Sequence, residues 1–128
     1  MKEENENYLE EDNTTEIVRR YEEKLTQSKG VFFDVFEFES IIDFYLSDDN
    51  NLKAKQAIDL AERIYPNSSE INLKKAEYFI VNGLHSEALQ ILDLLEKIDT
   101  QNHEIYFLKG QTHYETGNIL KSMESFDR

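Results

Sequence analysis

Apolar and polar positions alternate with a helical period along most of this chain, and the helices they predict come in pairs. Phe38, Ile41, Ile42 and Tyr45 stand at i, i+3, i+4 and i+7, the spacing that places side chains on one face of an α-helix. Asp34 and Glu37 have the spacing of a capping box, so this helix is expected to start at Asp34 and run to Leu46. Asp48-Asp49-Asn50-Asn51 makes a turn. A second helix follows from about Leu52 to Ile64, burying Ala54, Ala57, Ile58, Ala61 and Ile64. It stops at Tyr65-Pro66-Asn67-Ser68, because proline lacks the backbone donor that a continuing helix needs. The pair then returns as Glu70 to Val81, a turn at Asn82-Gly83, and Ser86 to Ile98. It returns again as His103 to Glu115, a turn at Thr116-Gly117-Asn118, and a helix from Ile119 that Arg128 cuts short.

Ahead of these pairs the pattern changes. Residues 1 to 12 are almost all Glu, Asp, Asn and Lys, with only Met1, Tyr8 and Leu9 able to pack, so residues 1–13 read as a disordered acidic tail. Asn13 with Glu16 again has capping-box spacing, and Ile17, Tyr21 and Leu25 follow at helical steps. A leading helix is expected from about Thr14 to Ser28, ended by Gly30 and covering the first pair. An aromatic-rich linker, Gly30 to Glu39, joins it to the pairs; residues 14–34 thus form a capping helix and linker.

The pairs keep a fixed step. Ala54 and Ala88, Ala76 and Gly110, and Gly83 and Gly117 are each 34 residues apart, which divides the chain into repeats 35–68, 69–102 and an incomplete 103–128. A complete third unit would reach residue 136, so the chain reads as part of a longer protein with Ile119, Met123 and Phe126 uncovered. Small residues at Ala76 and Gly110, and at Ala54, Ala61 and Ala88, allow neighbouring helices to approach closely. Phe79, Leu92, Tyr106 and Phe126 fill the space beside them.

These residues resemble the tetratricopeptide repeat family from about Val35 to Arg128. Against its W-x2-L-G-x2-Y…A-x3-F…P pattern, the third unit has Tyr106, Gly110, Ser122 and Phe126. The second has Ala76, Phe79, Ala88 and Leu92, and the first has Phe38, Tyr45, Ala54, Ile58, Ala61 and Pro66. Ile42, Asn72 and Thr100 depart from it, replacing a small residue, an aromatic and a proline; the first unit reads as a terminal variant. The stretch Phe33 to Leu46, with Ala57 to Ala61 and Tyr65 to Ser68, is similar to the start of long tetratricopeptide proteins of Bacteroidota. The resemblance implies an all-α fold of antiparallel helix pairs stacked as a right-handed solenoid. It also implies a concave groove lined by Phe36, Glu39, Asp43, Leu46, Glu70, Leu73, Glu77, Ile80, Glu104, Phe107, Gln111, Tyr114 and Glu115. Acids and apolar groups alternate in that set, which suits a peptide or protein segment carrying basic residues beside apolar anchors. The set lacks the Lys, Arg and Asn combination with which some co-chaperone members hold a C-terminal carboxylate.

Charge narrows the partner class. With 14 Lys and Arg against 27 Asp and Glu, the formal net charge is −13, which argues against nucleic acid and anionic membrane surfaces as partners. The chain has no cysteine, hence no disulfide and no thiolate metal site. No apolar run approaches the ~20 residues of a membrane span, and the N-terminus has no apolar signal-peptide core; a soluble cytoplasmic protein is the expectation. His85, His103 and His113 do not have the i, i+4 spacing of a helical metal pair. Neither a nucleophile with its base nor a phosphate-cradling glycine loop stands out, and the many carboxylates read as a solvated surface. No catalytic residue, metal or cofactor is expected. Two readings stay open: an interaction scaffold that binds a protein or peptide in the groove, and a structural segment of a longer repeat protein that self-associates through its truncated C-terminal edge.

Overall fold

The computed structural model describes residues 2–27, 30, 32–117 and 125, with side chains from Asn13 onward. Among them there are six α-helices and no strand, in two compact units, residues 1–66 and 67–128. The expected helix from Ile119, with Ser122, Met123 and Phe126, lies outside the described residues.

The first unit holds α1 (Lys2–Thr26), α2 (Val35–Ser47) and α3 (Asn51–Ile64). Asp34 caps α2 as the sequence predicts: its carboxylate accepts from Glu37 N–H at 2.7 Å while the Glu37 carboxylate accepts from Asp34 N–H at 3.1 Å. Phe38, Ile41, Ile42 and Tyr45 are buried on α2, and Ala54, Ala57, Ile58 and Ala61 on α3. Alanine at three of those α3 positions keeps the two packed helices close.

α1 differs from its expected span. It begins at Lys2, so its first half occupies the stretch read as a tail, and Asn13 lies inside the helix instead of capping it. Glutamate is a good helix former, and acids near a helix N-terminus complement its dipole, so the acid-rich start does not oppose a helix. Val18 joins Ile17 and Tyr21 in the buried face, whereas Leu25 is exposed.

α1 packs against α2 through an aromatic cluster. The Tyr21 ring stands 5.9 Å from Phe33, 6.5 Å from Phe38 and 6.4 Å from Tyr45. Phe33, in the linker, is buried, and its carbonyl accepts from the Tyr65 hydroxyl at 2.7 Å. Arg20 lies over the Phe33 ring at 5.4 Å while its guanidinium meets Glu37 at 2.6 Å. Each edge-to-face ring pair adds about 0.5–1.5 kcal/mol beyond its burial, against at most about 1 kcal/mol for a solvent-accessible ion pair. Burial of the rings, and not charge, holds α1.

The second unit holds α4 (Ser69–Val81), α5 (His85–Ile98) and α6 (His103–Glu115). Leu73, Ala76, Ile80, Ala88, Leu92, Leu95, Ile105 and Leu108 form one core, with Phe79 and Ile91 packed at its edge. Here both α4 and α6 pack on α5, and α4 also meets α6 directly.

The helix boundaries carry the 34-residue step. α2, α4 and α6 begin at Val35, Ser69 and His103, and α3 and α5 at Asn51 and His85. The residues before the first set, Asp34, Ser68 and Asn102, all cap their helices with a side-chain oxygen. Asp49, Gly83 and Gly117, which follow α2, α4 and α6 at the same step, all have positive φ, of 54°, 75° and 82°. The first two turns share their backbone bonds: Asp49 N–H to Leu46 O at 3.3 Å and Asn50 N–H to Tyr45 O at 2.9 Å, then Gly83 N–H to Ile80 O at 3.1 Å and Leu84 N–H to Phe79 O at 2.8 Å. These are the paired bonds of a Schellman motif, which requires a left-handed residue after the helix.

Candidate functional site

The structure splits the groove set expected from the sequence. On α2, Phe36, Glu39, Asp43 and Leu46 fall on one stripe at i, i+3, i+7 and i+10, and Phe36 is 69 % exposed. Asp43 is exposed, while Glu39 and Leu46 are half-buried.

On α4 the expectation needs correction. Leu73 and Ile80 are only 7 % and 6 % exposed and belong to the core of the second unit. They are apolar side chains in the core that α4 shares with α5 and α6, so packing takes them away from any ligand. Glu70 on the same helix is exposed and accepts from the Ser68 hydroxyl at 3.0 Å. Glu77 is half-buried and paired with Lys74 at 3.4 Å.

On α6, Glu104, Phe107, Gln111 and Tyr114 form a second stripe, with Glu115 beside it. Phe107 is 58 % and Tyr114 67 % exposed. One turn of helix spans 3.6 residues, so seven positions bring these two rings nearly into line along α6. Gln111, between them, donates to the Glu115 carboxylate at 3.2 Å, and Glu115 also meets His85 Nε2 at 3.0 Å, tying the end of α6 to the start of α5. Glu104 is exposed at the opposite end of the stripe. The arrangement is two solvent-exposed aromatic faces bracketed by carboxylates.

On another part of α6, Lys109 reaches Asp93 at 2.9 Å and Glu96 at 2.5 Å on α5. Burial acts to lower the pKa of this ammonium, but the hydrogen bonds and charges of the two carboxylates together prevail and raise it above its ordinary value. Sequence reading passes over this triad, because Lys109 and its partners come from different helices and no local spacing links them. Similarly, Tyr45 donates to Glu22 at 2.6 Å across α1 and α2. Burial and that carboxylate both push the Tyr45 phenol up.

Among the described residues, no group of three or more His, Asp or Glu is placed to hold a metal ion, and no helix is long and apolar enough to cross a membrane. No protein-family model matches the chain, and no curated protein matches it.

Proposed function

We propose that this chain is a tetratricopeptide-like stack of helix pairs that serves as a protein-interaction scaffold, binding a peptide or protein segment through an acidic and apolar surface. The right-handed solenoid is part of the proposal; the 34-residue recurrence of helix starts, caps and left-handed turn residues supports it.

The observation that carries the binding reading is the stripe on α6, where Phe107 and Tyr114 each keep more than half of their surface exposed between Glu104 and Glu115. Exposed aromatics with a polar rim have the composition of interface centres, where aromatic side chains are enriched. The net charge of −13 favours a basic partner and speeds its encounter at low ionic strength. No catalytic step and no cofactor belong to this reading.

Capture of partners from the native cell lysate by the intact chain, compared with the F107S/Y114S variant, tests it. Loss of a retained protein from the variant, with retention weakening as salt shortens the Debye length to about 8 Å, is the expected result. An identical set of retained proteins in both lanes at every salt concentration rules out the α6 stripe as the binding surface.

A further inference from the structure

We propose that Asn82-Gly83, in the turn between α4 and α5, is a self-modifying site: the Gly83 backbone nitrogen displaces ammonia from the Asn82 side chain, at a rate that the folded turn sets. Asn82 alone among the asparagines of the chain precedes a glycine. Glycine has no Cβ to screen its backbone nitrogen or to hinder the rotation that brings it round. Water is the one co-reactant. The Gly83 nitrogen bonds to Asn82 Cγ, the Cγ–Nδ2 bond breaks, and the Gly83 amide proton leaves with Nδ2 as ammonia. Water then opens the five-membered imide at one of its two carbonyls. One opening leaves aspartate in the ordinary chain, and the other leaves isoaspartate, whose main chain runs through Cβ and Cγ.

Gly83 is exposed and Asn82 half-buried, yet the folded geometry holds the reacting atoms apart. Closing the imide ring requires the Gly83 nitrogen to eclipse Cβ about the Asn82 Cα–C bond. With ψ of 9° it eclipses the Asn82 nitrogen instead. Rotation toward Cβ breaks the bonds that fix the turn, Gly83 N–H to Ile80 O at 3.1 Å and Leu84 N–H to Phe79 O at 2.8 Å. The side chain is tied as well, since Asn82 Nδ2 donates to Tyr78 O at 2.8 Å. Modification therefore passes through an opened turn, and its rate follows the open fraction as long as opening and closing outpace the chemistry.

The internal repeat shows what each product does to the turn. Asp48 precedes Asn82 by 34 residues and ends α2 with φ of −90° and ψ of 8°, against −94° and 9° at Asn82. An aspartate thus fits this position, losing only the bond that Nδ2 gives to Tyr78 O. Isoaspartate does not fit: its additional main-chain carbon moves the Gly83 and Leu84 N–H groups off Ile80 O and Phe79 O, the two bonds that define the turn.

Incubating the intact chain beside a synthetic peptide of residues 78–88 at mildly alkaline pH, with peptide mapping by mass spectrometry, tests the site. Asn82 should be converted in both, about tenfold or more slowly in the chain, and urea should raise the chain's rate to that of the peptide. Hydrogen exchange at the Gly83 and Leu84 amides should be slowed alongside. A chain made by semisynthesis with isoaspartate at position 82 should melt below the parent, and the Asn82→Asp variant much closer to it. Equal rates in chain and peptide overturn control by the turn, and so does slow conversion with fast exchange at both amides. Conversion of other asparagines ahead of Asn82 in the urea-unfolded chain overturns the site itself. An isoaspartyl chain that melts with the Asn82→Asp variant overturns the role given to the main-chain bonds.

Discussion

Exchanging residues at the left-handed turn positions isolates a single energy. Gly83 has φ of +75°, and an added Cβ there would meet no atom within 4 Å, so Gly83→Ala changes backbone preference without creating a clash. An L-residue in the left-handed region costs roughly 1–2 kcal/mol, and alanine recovers roughly 0.5–1 kcal/mol by restricting the unfolded chain. The net expectation is a loss of about 1 kcal/mol, or about 4–8 °C in melting temperature for a unit of this size. Asp49 holds the same position after α2 with φ of 54°. Aspartate tolerates that region better than alanine, so Asp49→Gly should be neutral or stabilising by up to about 0.5 kcal/mol, and Asp49→Ala destabilising. D-alanine placed at position 83 by semisynthesis should reverse the sign, gaining roughly 0.5–1 kcal/mol, because its mirror-image preference matches positive φ. Urea denaturation followed by circular dichroism at 222 nm measures all four. If L- and D-alanine at position 83 destabilise equally, the cost lies in something other than backbone handedness and the reasoning fails.

Three further outcomes are expected. Tyr21→Ala should destabilise the first unit by about 3–5 kcal/mol, whereas Arg20→Ala should cost no more than about 1 kcal/mol, which denaturant titrations of the two variants will separate. Tyr21 and Tyr45 have phenol pKa values raised first by burial and then by Glu22; the stabilisation linked to them is fully present below the ordinary tyrosine value of about 10 and is lost as pH climbs above it. Thermal melts from pH 8 to 12 should therefore show falling stability, with a shallower slope in Tyr45→Phe, and an identical slope in that variant would remove Tyr45 from the cause. Gly110 is buried in α6, so Gly110→Val should cost roughly 1–3 kcal/mol by overpacking; an unchanged melting midpoint would contradict that placement.

Much of the helical layout was legible because its signals are local. Asp34 with Glu37 marks the start of α2, Pro66 follows the end of α3, and Gly83 and Gly117 mark turns whose geometry only glycine adopts freely. Asp49 escaped recognition as the third member of that series because its residue type does not announce positive φ. The Asn13 and Glu16 pair shows the opposite error: capping-box spacing arises by chance in a Glu-rich run, and here it sits mid-helix. The exposed stripe on α6 was harder to read. Leu73 and Phe107 occupy equivalent positions, and only the packing of the second unit's core, which takes in the first, separates a core side chain from an exposed one. Lys109 was invisible for a related reason, since its carboxylates lie on another helix.

Aromatic packing in the first unit also determines what light can report. The chain has no tryptophan, so its near-ultraviolet dichroism comes chiefly from tyrosines. Tyr21 is locked among Phe33, Phe38 and Tyr45, all buried, whereas Tyr78 and Tyr106 of the second unit are only half-buried and Tyr114 is exposed. The second unit's core is built from Leu, Ile and Ala, and its packed rings are at the core's edge, where Tyr78 stands 5.7 Å from Phe79. Near-ultraviolet signal is thus weighted toward the first unit, while far-ultraviolet signal follows every helix, and coincidence or separation of the two melting curves reveals whether the halves of this protein unfold as one.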